Sequence, residues 1–138
     1  MNLNHCEAAQ DLLIQGVKEE NIDVSIISEP YRVPGNSIWI MNGSHTSAIW
    51  ICGFLPFQQT YALDIGFVMA GIKGVFVLSC YASPRWSMDE IQHILERLAS
   101  HMRLNNSVII AGRPNGVVDI LAPGVAASWK RSLSFLLR

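Results

Sequence analysis

The sequence predicts an α/β domain, on three observations. Two segments carry helical periodicity behind capping residues, several β-branched runs between and after them read as strands, and one apolar run ends in a glycine-bracketed polar loop, "VIIAGRPNG" (Val108 to Gly116). A buried strand that stops at such a loop is where α/β proteins place their chemistry. The 138 residues suit one compact domain with a core and are too few for two comfortable ones, and no repeat, linker or low-complexity stretch divides them.

Taken in order, Asn4 to Glu20 is expected to be a helix, with Asn4 as cap, Glu7 at the capping-box position, and Ala9, Leu12, Leu13 and Val17 on one face. Ile22 to Ser28 is a nearly continuous apolar and β-branched run, which fits a strand covered on both faces, and it stops at Glu29-Pro30. A loop-rich stretch from Tyr31 to His45 holds one short candidate strand, Ser37 to Met41. Further strands are expected over Ser47 to Cys52, Ala62 to Ala70 and Gly74 to Tyr81, with a turn at Gly71. Ser87 and Glu90 form a capping box for a helix to about Met102, whose stripe is Ile91, Ile94, Leu95 and Leu98. The strand Ser107 to Ala111 follows, and Val125 to Leu137 is patterned as a third helix.

Composition narrows the function classes. Half of the residues are apolar and only 15% are charged, which excludes a disordered tail. The net charge is −1 with no basic run, so any nucleic-acid affinity must come from placement of single cations and not from total charge. Three cysteines, Cys6, Cys52 and Cys80, are an odd number in apolar or helical surroundings, read as buried thiols of a reducing, intracellular compartment. The first residues have neither a charged nor an apolar leader region, and no apolar run reaches the ~20 residues that span a bilayer, so secretion and membrane insertion are not expected.

Several conventional sites are excluded by spacing. There is no CxxC, HxxH or HExxH pattern for a metal. Gly66 to Lys73 lacks the Lys-Ser/Thr ending of a phosphate loop, and Gly43-Ser44-His45 lacks the nucleophile-elbow pattern and reads as a turn. The tryptophans Trp39, Trp50, Trp86 and Trp129 sit among apolar neighbours, where core packing is the ordinary use and base stacking the alternative.

Four stretches in order, NLNHCEAAQDLL, IISEPYRVPG, GVFVLSCYASP and VIIAGRPNG, resemble the apurinic-type endonuclease domain of non-LTR retrotransposons, within the endonuclease/exonuclease/phosphatase superfamily, over essentially all 138 residues. The resemblance is to the site-specific insect type. It implies a four-layer α/β sandwich that nicks one DNA strand with a divalent cation, usually Mg2+, and a nuclear location. Asn2 matches the asparagine that helps hold metal and phosphate, with a turn-forming role as the plain alternative. Glu29, in SEPY, matches the metal-binding glutamate of the QEP or QET motif; a hard cation takes oxygen ligands, and a carboxylate fixed at a strand end supplies one. Read without the resemblance, Glu29 is an exposed acid at a strand end. Tyr81, in SCYASP, matches the tyrosine of SxYxPP that points at the scissile phosphate, with Ser83 where the first proline is common; its plain reading is a strand residue at the sheet rim. Asn115 matches the asparagine of GDxN that contacts the phosphate. Arg113 and Arg32 are assigned to phosphate or DNA.

Two departures bear on activity. Arg113 stands where the family has the aspartate that orients and deprotonates the attacking water, and a guanidinium can neither accept a proton nor ligate a cation. Asp119 is a conceivable substitute carboxylate, but only if its loop folds back into the same place. The family's closing motifs, with an aspartate and a histidine, lie beyond Arg138, and His45, His93 and His101 match none of them. The expectation is therefore the N-terminal part of such a domain, a partial sandwich with an incomplete second sheet. Two readings stay open: metal-dependent DNA endonuclease, or a catalytically dead remnant, a pseudoenzyme, that binds nucleic acid or a partner. No membrane partner is expected, and the sequence leaves the oligomeric state open.

Overall fold

Val24–Ser28 (β1) is buried at all five positions, because each of its faces meets a different layer. The computed structural model that shows this describes residues 1–35, 37–103, 108–113 and 120–121. Within them, a three-stranded antiparallel sheet is ordered β1, then Ser47–Ile51 (β3), then Ile38–Met41 (β2). The second sheet has five strands in sequence order: Phe57–Leu63 (β4), Phe67–Ile72 (β5), Val75–Tyr81 (β6), Val108–Arg113 (β7) and Ile120–Leu121 (β8).

The two sheets pack face to face. Alternate residues of β1 and β3 (Val24, Ile26, Ile49, Ile51) meet Val68, Ala70, Ile72 and Val77 from the other sheet. The opposite face of the small sheet, with Ile27, Ala48 and Trp50, receives Leu13 and Val17 of the helix Glu7–Glu19 (α1). The outer face of the larger sheet, with Phe67, Met69 and Leu78, is covered by Ile94 and Leu98 of Met88–Arg103 (α2). The layers are therefore helix, sheet, sheet, helix: a partial α/β sandwich, as the sequence predicts. Large exposed apolar side chains such as Phe54, Ile38, Leu63 and Ile65 lie at turns and edges.

Local departures from the sequence reading have identifiable causes. α1 begins at Glu7 behind Cys6, which makes no side-chain capping bond, while Asn4 and His5 adopt left-handed φ values of 49° and 53°. Those two residues turn the chain so that Met1 to Leu3 can run beside β1, with Asn2 bridged in parallel to Ser28. The helix end is conventional: Asn21 is left-handed (φ 52°), and the Ile22 N–H reaches back to the Val17 carbonyl at 3.0 Å. The Ser87–Glu90 capping box forms as expected, and its hydrogen bonds hold the Glu90 carboxyl below the usual carboxylate range. Leu95, expected on the packed stripe, is exposed; His101 takes the next inward place, its ring 5.7 Å from that of Phe67.

The strand expected over Ala62 to Ala70 is two strands, β4 and β5, broken at Asp64 to Gly66. The polar Gln58, Gln59 and Thr60 disguise β4, which is an edge strand and needs only one apolar face. Gly71 is not a turn but a strand residue beneath the Tyr61 ring, where a Cβ would stand 2.7 Å from a ring carbon. The reversal falls instead at Lys73 and Gly74, both left-handed at φ 50° and 77°, the pairing that a two-residue hairpin requires. Cys6 is exposed and Cys52 and Cys80 are half-buried, against the expectation of three buried thiols. The third helix expected over Val125 to Leu137, and Trp129 with it, lies outside the described residues.

Candidate functional site

β6 and β7 are joined by α2 and pair in parallel, so their C-terminal ends share one edge, with Tyr81 and Arg113 as register partners. β1 ends at the same edge from the other sheet. Glu29, the next residue, is left-handed at φ 50°. Its backbone is held from both sides: its N–H donates to the Thr46 carbonyl and its carbonyl accepts from the His5 N–H, each at 2.8 Å. So pinned, the Glu29 carboxylate accepts a 2.7 Å hydrogen bond from the Tyr81 hydroxyl. Tyr81 is itself buried, and its N–H donates to the Gly66 carbonyl at 2.9 Å.

The remaining site residues divide. Asn2 is brought alongside by the bridge to Ser28, but its Oδ1 accepts the Asn4 N–H at 2.8 Å, the turn-forming role. Arg32 is exposed three residues past Glu29, in a loop fixed by Gln10. Gln10 is buried on α1; its Oε1 accepts the N–H groups of Tyr31 and Arg32, and its Nε2 donates to the Arg32 carbonyl. The structure thus brings Glu29, Tyr81 and Asn2 together, puts the Arg113 backbone beside Tyr81, and places Arg32 on the loop leaving the rim. Asn115 and Asp119 lie outside the described residues.

Two residues that shape this edge were missed from the sequence, Gln10 and Asn42. Asn42 is 1% exposed and ties two turns together: its Oδ1 accepts the N–H groups of Thr46 and Ser47, and its Nδ2 donates to the Ile65 carbonyl at 2.5 Å. A polar residue directly after an apolar strand was the available signal for Asn42. Gln10 sits between Ala9 and Leu13 on the helix and gave none.

Mg2+ commonly takes one or two carboxylates and completes its shell with water and substrate phosphate. Among the described residues the edge offers Glu29 alone, with one oxygen hydrogen-bonded to Tyr81 and the Asn2 oxygen committed to its own turn. No group of three or more His, Cys, Asp or Glu side chains that could hold a metal occurs among them. Among the described residues the edge thus offers a cation one carboxylate, its other ligands being left to water and phosphate.

In this helix–sheet–sheet–helix sandwich, strands of both sheets end at the edge where Glu29 and Tyr81 meet. In keeping with it, the fold is similar to that of the "Endonuclease domain of TRAS1, a telomere-specific non-LTR retrotransposon", with a TM-score of 0.70 at 20% identity over 84% of this chain and 57% of that one. The chain therefore spans a little over half the length of that solved domain. TDP2 from Caenorhabditis elegans aligns at a TM-score of 0.47 and 12% identity, over 89% of this chain and 47% of that one. No protein-family model matches the sequence, and no curated protein does. None of the described helices is long and apolar enough to cross a membrane.

Proposed function

We propose that this chain binds the phosphodiester backbone of DNA at the edge formed by Glu29, Tyr81 and Arg113, on a nuclease-type fold, and does not cut it. The observation that carries the reading is the pairing of Tyr81 with Arg113 while Tyr81 holds Glu29. It assigns a permanently cationic residue to the strand end beside the tyrosine, where hydrolysis calls for a proton acceptor. Guanidinium groups offer phosphate a bidentate, charge-assisted contact. Glu29 offsets one of the two cations assigned to this region, so binding is weak, salt-sensitive and without base readout of its own. Arg32 adds a second cation on the loop that leaves the edge. A nuclear location accompanies this reading.

The test is a pair of assays on one preparation. Supercoiled plasmid in Mg2+ should stay intact, and nicking that disappears in Glu29→Ala would overturn the non-catalytic reading in favour of a metal-dependent endonuclease. Binding to duplex DNA at low salt should weaken in Arg113→Gln, with the salt slope reduced by about one. No binding at low salt would remove the phosphate reading altogether.

A further inference from the structure

Next to the phosphate edge lies an open hollow of about 570 Å3, a size suited to a small organic ligand. Its walls are the β2–β3 turn and the β4–β5 turn, with Arg97 of α2 at one side. These same turns hold the edge, since Thr46 takes the Glu29 N–H and Gly66 takes the Tyr81 N–H. Asn42 locks the two turns to each other, so the hollow is preformed.

Its lining is chemically specific. Leu63 and Ile65 are 59% and 60% exposed, an aliphatic surface with no covering layer among the described residues. Between them in the chain, Asp64 is almost wholly buried, and its Oδ2 contacts Nη2 of the half-exposed Arg97 at 2.6 Å. The pair is neutral, which disfavours a second phosphate. A guanidinium carries five N–H donors, and those not directed at Asp64 suit a carbonyl or ring nitrogen. His45, held in a left-handed turn conformation, also lines the hollow. Apolar walls, a planar donor edge and no net charge suit an uncharged flat ring with acceptor atoms on its rim.

We infer that this hollow receives one unpaired base of a DNA strand whose backbone lies on the Glu29–Tyr81–Arg113 edge, an inference that rests on the phosphate-binding reading. The base lies against Leu63 and Ile65 and turns its acceptor edge, such as guanine O6 and N7, towards Arg97.

The experiment compares two single-stranded octanucleotides of equal charge by fluorescence anisotropy at low salt, one with a central guanosine and one with a tetrahydrofuran abasic unit there. The guanosine strand should bind about tenfold more tightly. In Ile65→Ser, a change at an exposed position that spares the core, the advantage should shrink to about twofold while abasic binding stays the same, and Arg97→Gln should likewise reduce it. Equal affinity for the two strands overturns the base site and leaves the phosphate reading standing. A guanosine advantage that neither substitution changes also overturns it, by placing the base elsewhere. Failure of both strands to bind removes both readings.

Discussion

The Tyr81 hydroxyl donates to Glu29 Oε1 at 2.7 Å, and this bond joins the final residue of a strand in one sheet to the residue that ends a strand in the other. Two residues before Tyr81, Ser79 shares a fully buried hydroxyl contact of 2.5 Å with Ser47, the β3 residue paired with Ser28. The sheets are otherwise joined by aliphatic packing, which is non-directional. The polar contacts at this end fix how the two sheets meet, and hence where the carboxylate and the Arg113 backbone stand relative to each other.

Replacing Tyr81 with Phe keeps the ring and deletes the donor. A hydrogen bond to a charged acceptor contributes ~1.5–3 kcal/mol, and solvent can partly replace this one because Glu29 is not fully buried. Tyr81→Phe should lower unfolding stability by roughly 1–2 kcal/mol, read from the urea midpoint at unchanged slope. It should also weaken binding to the guanosine strand, because the edge loses its alignment. A change below about 0.3 kcal/mol would mean that the bond contributes nothing in solution.

Asn42→Ala tests the second tie. Truncation leaves the Thr46 and Ser47 N–H groups without their acceptor and removes the donor to Ile65, in a residue that is 1% exposed. Stability should fall by about 2–4 kcal/mol, with hydrogen exchange of the Thr46 and Ser47 amides accelerated beyond what global destabilisation accounts for. Ordinary exchange at those amides would contradict the assignment.

The layers were legible where one residue pattern has one structural solution. The nearly continuous apolar and β-branched run before Glu29 called for a strand buried on both sides, and β1 is that strand, sandwiched between α1 and the second sheet. The Ser87–Glu90 box fixed the start of α2 because its bonds are local. β4 was hidden because an edge strand tolerates polar residues, and Gly71 looked like a turn because nothing local reveals that the Tyr61 ring occupies the space of its missing side chain. At the site, motif order placed Glu29, Tyr81 and Arg113 on strand ends. Their juxtaposition depends on the packing of two sheets, and the supporting hydrogen bonds of Gln10 and Asn42 span residues far apart in sequence.

The Lys73–Gly74 hairpin offers a stabilising change. Lys73 holds φ 50°, a conformation that costs a side-chain-bearing residue ~1–2 kcal/mol and that asparagine adopts more readily. Lys73→Asn should therefore raise the unfolding free energy by about 0.5–1 kcal/mol, whereas Gly74→Ala, at φ 77°, should lower it by about 1 kcal/mol or more. Thermal melts of the two variants moving in the same direction would contradict the turn geometry.

Alkaline pH should destabilise the fold through two thiols. Burial pushes Cys80 up to about 11 and Cys52 up to about 12, from an ordinary value of 9.0. The unfolded chain thus loses these protons at a lower pH than the folded one. The stabilisation is complete below pH 9 and is lost as pH rises towards the folded values of about 11 and 12. Unfolding free energy measured by urea from neutrality upward should bend down beyond pH 9, and Cys80→Ala should bend less, because it removes one linked group without altering the tyrosines or lysines. The same burial orders thiol reactivity. Iodoacetamide at mildly alkaline pH should label the exposed Cys6 well before Cys52 and Cys80, since alkylation needs an accessible thiolate. Equal labelling rates at all three, resolved by peptide mass spectrometry, would show that the two inner thiols are not shielded as the packing of Cys52 beneath Trp50 and Cys80 beside Phe67 requires.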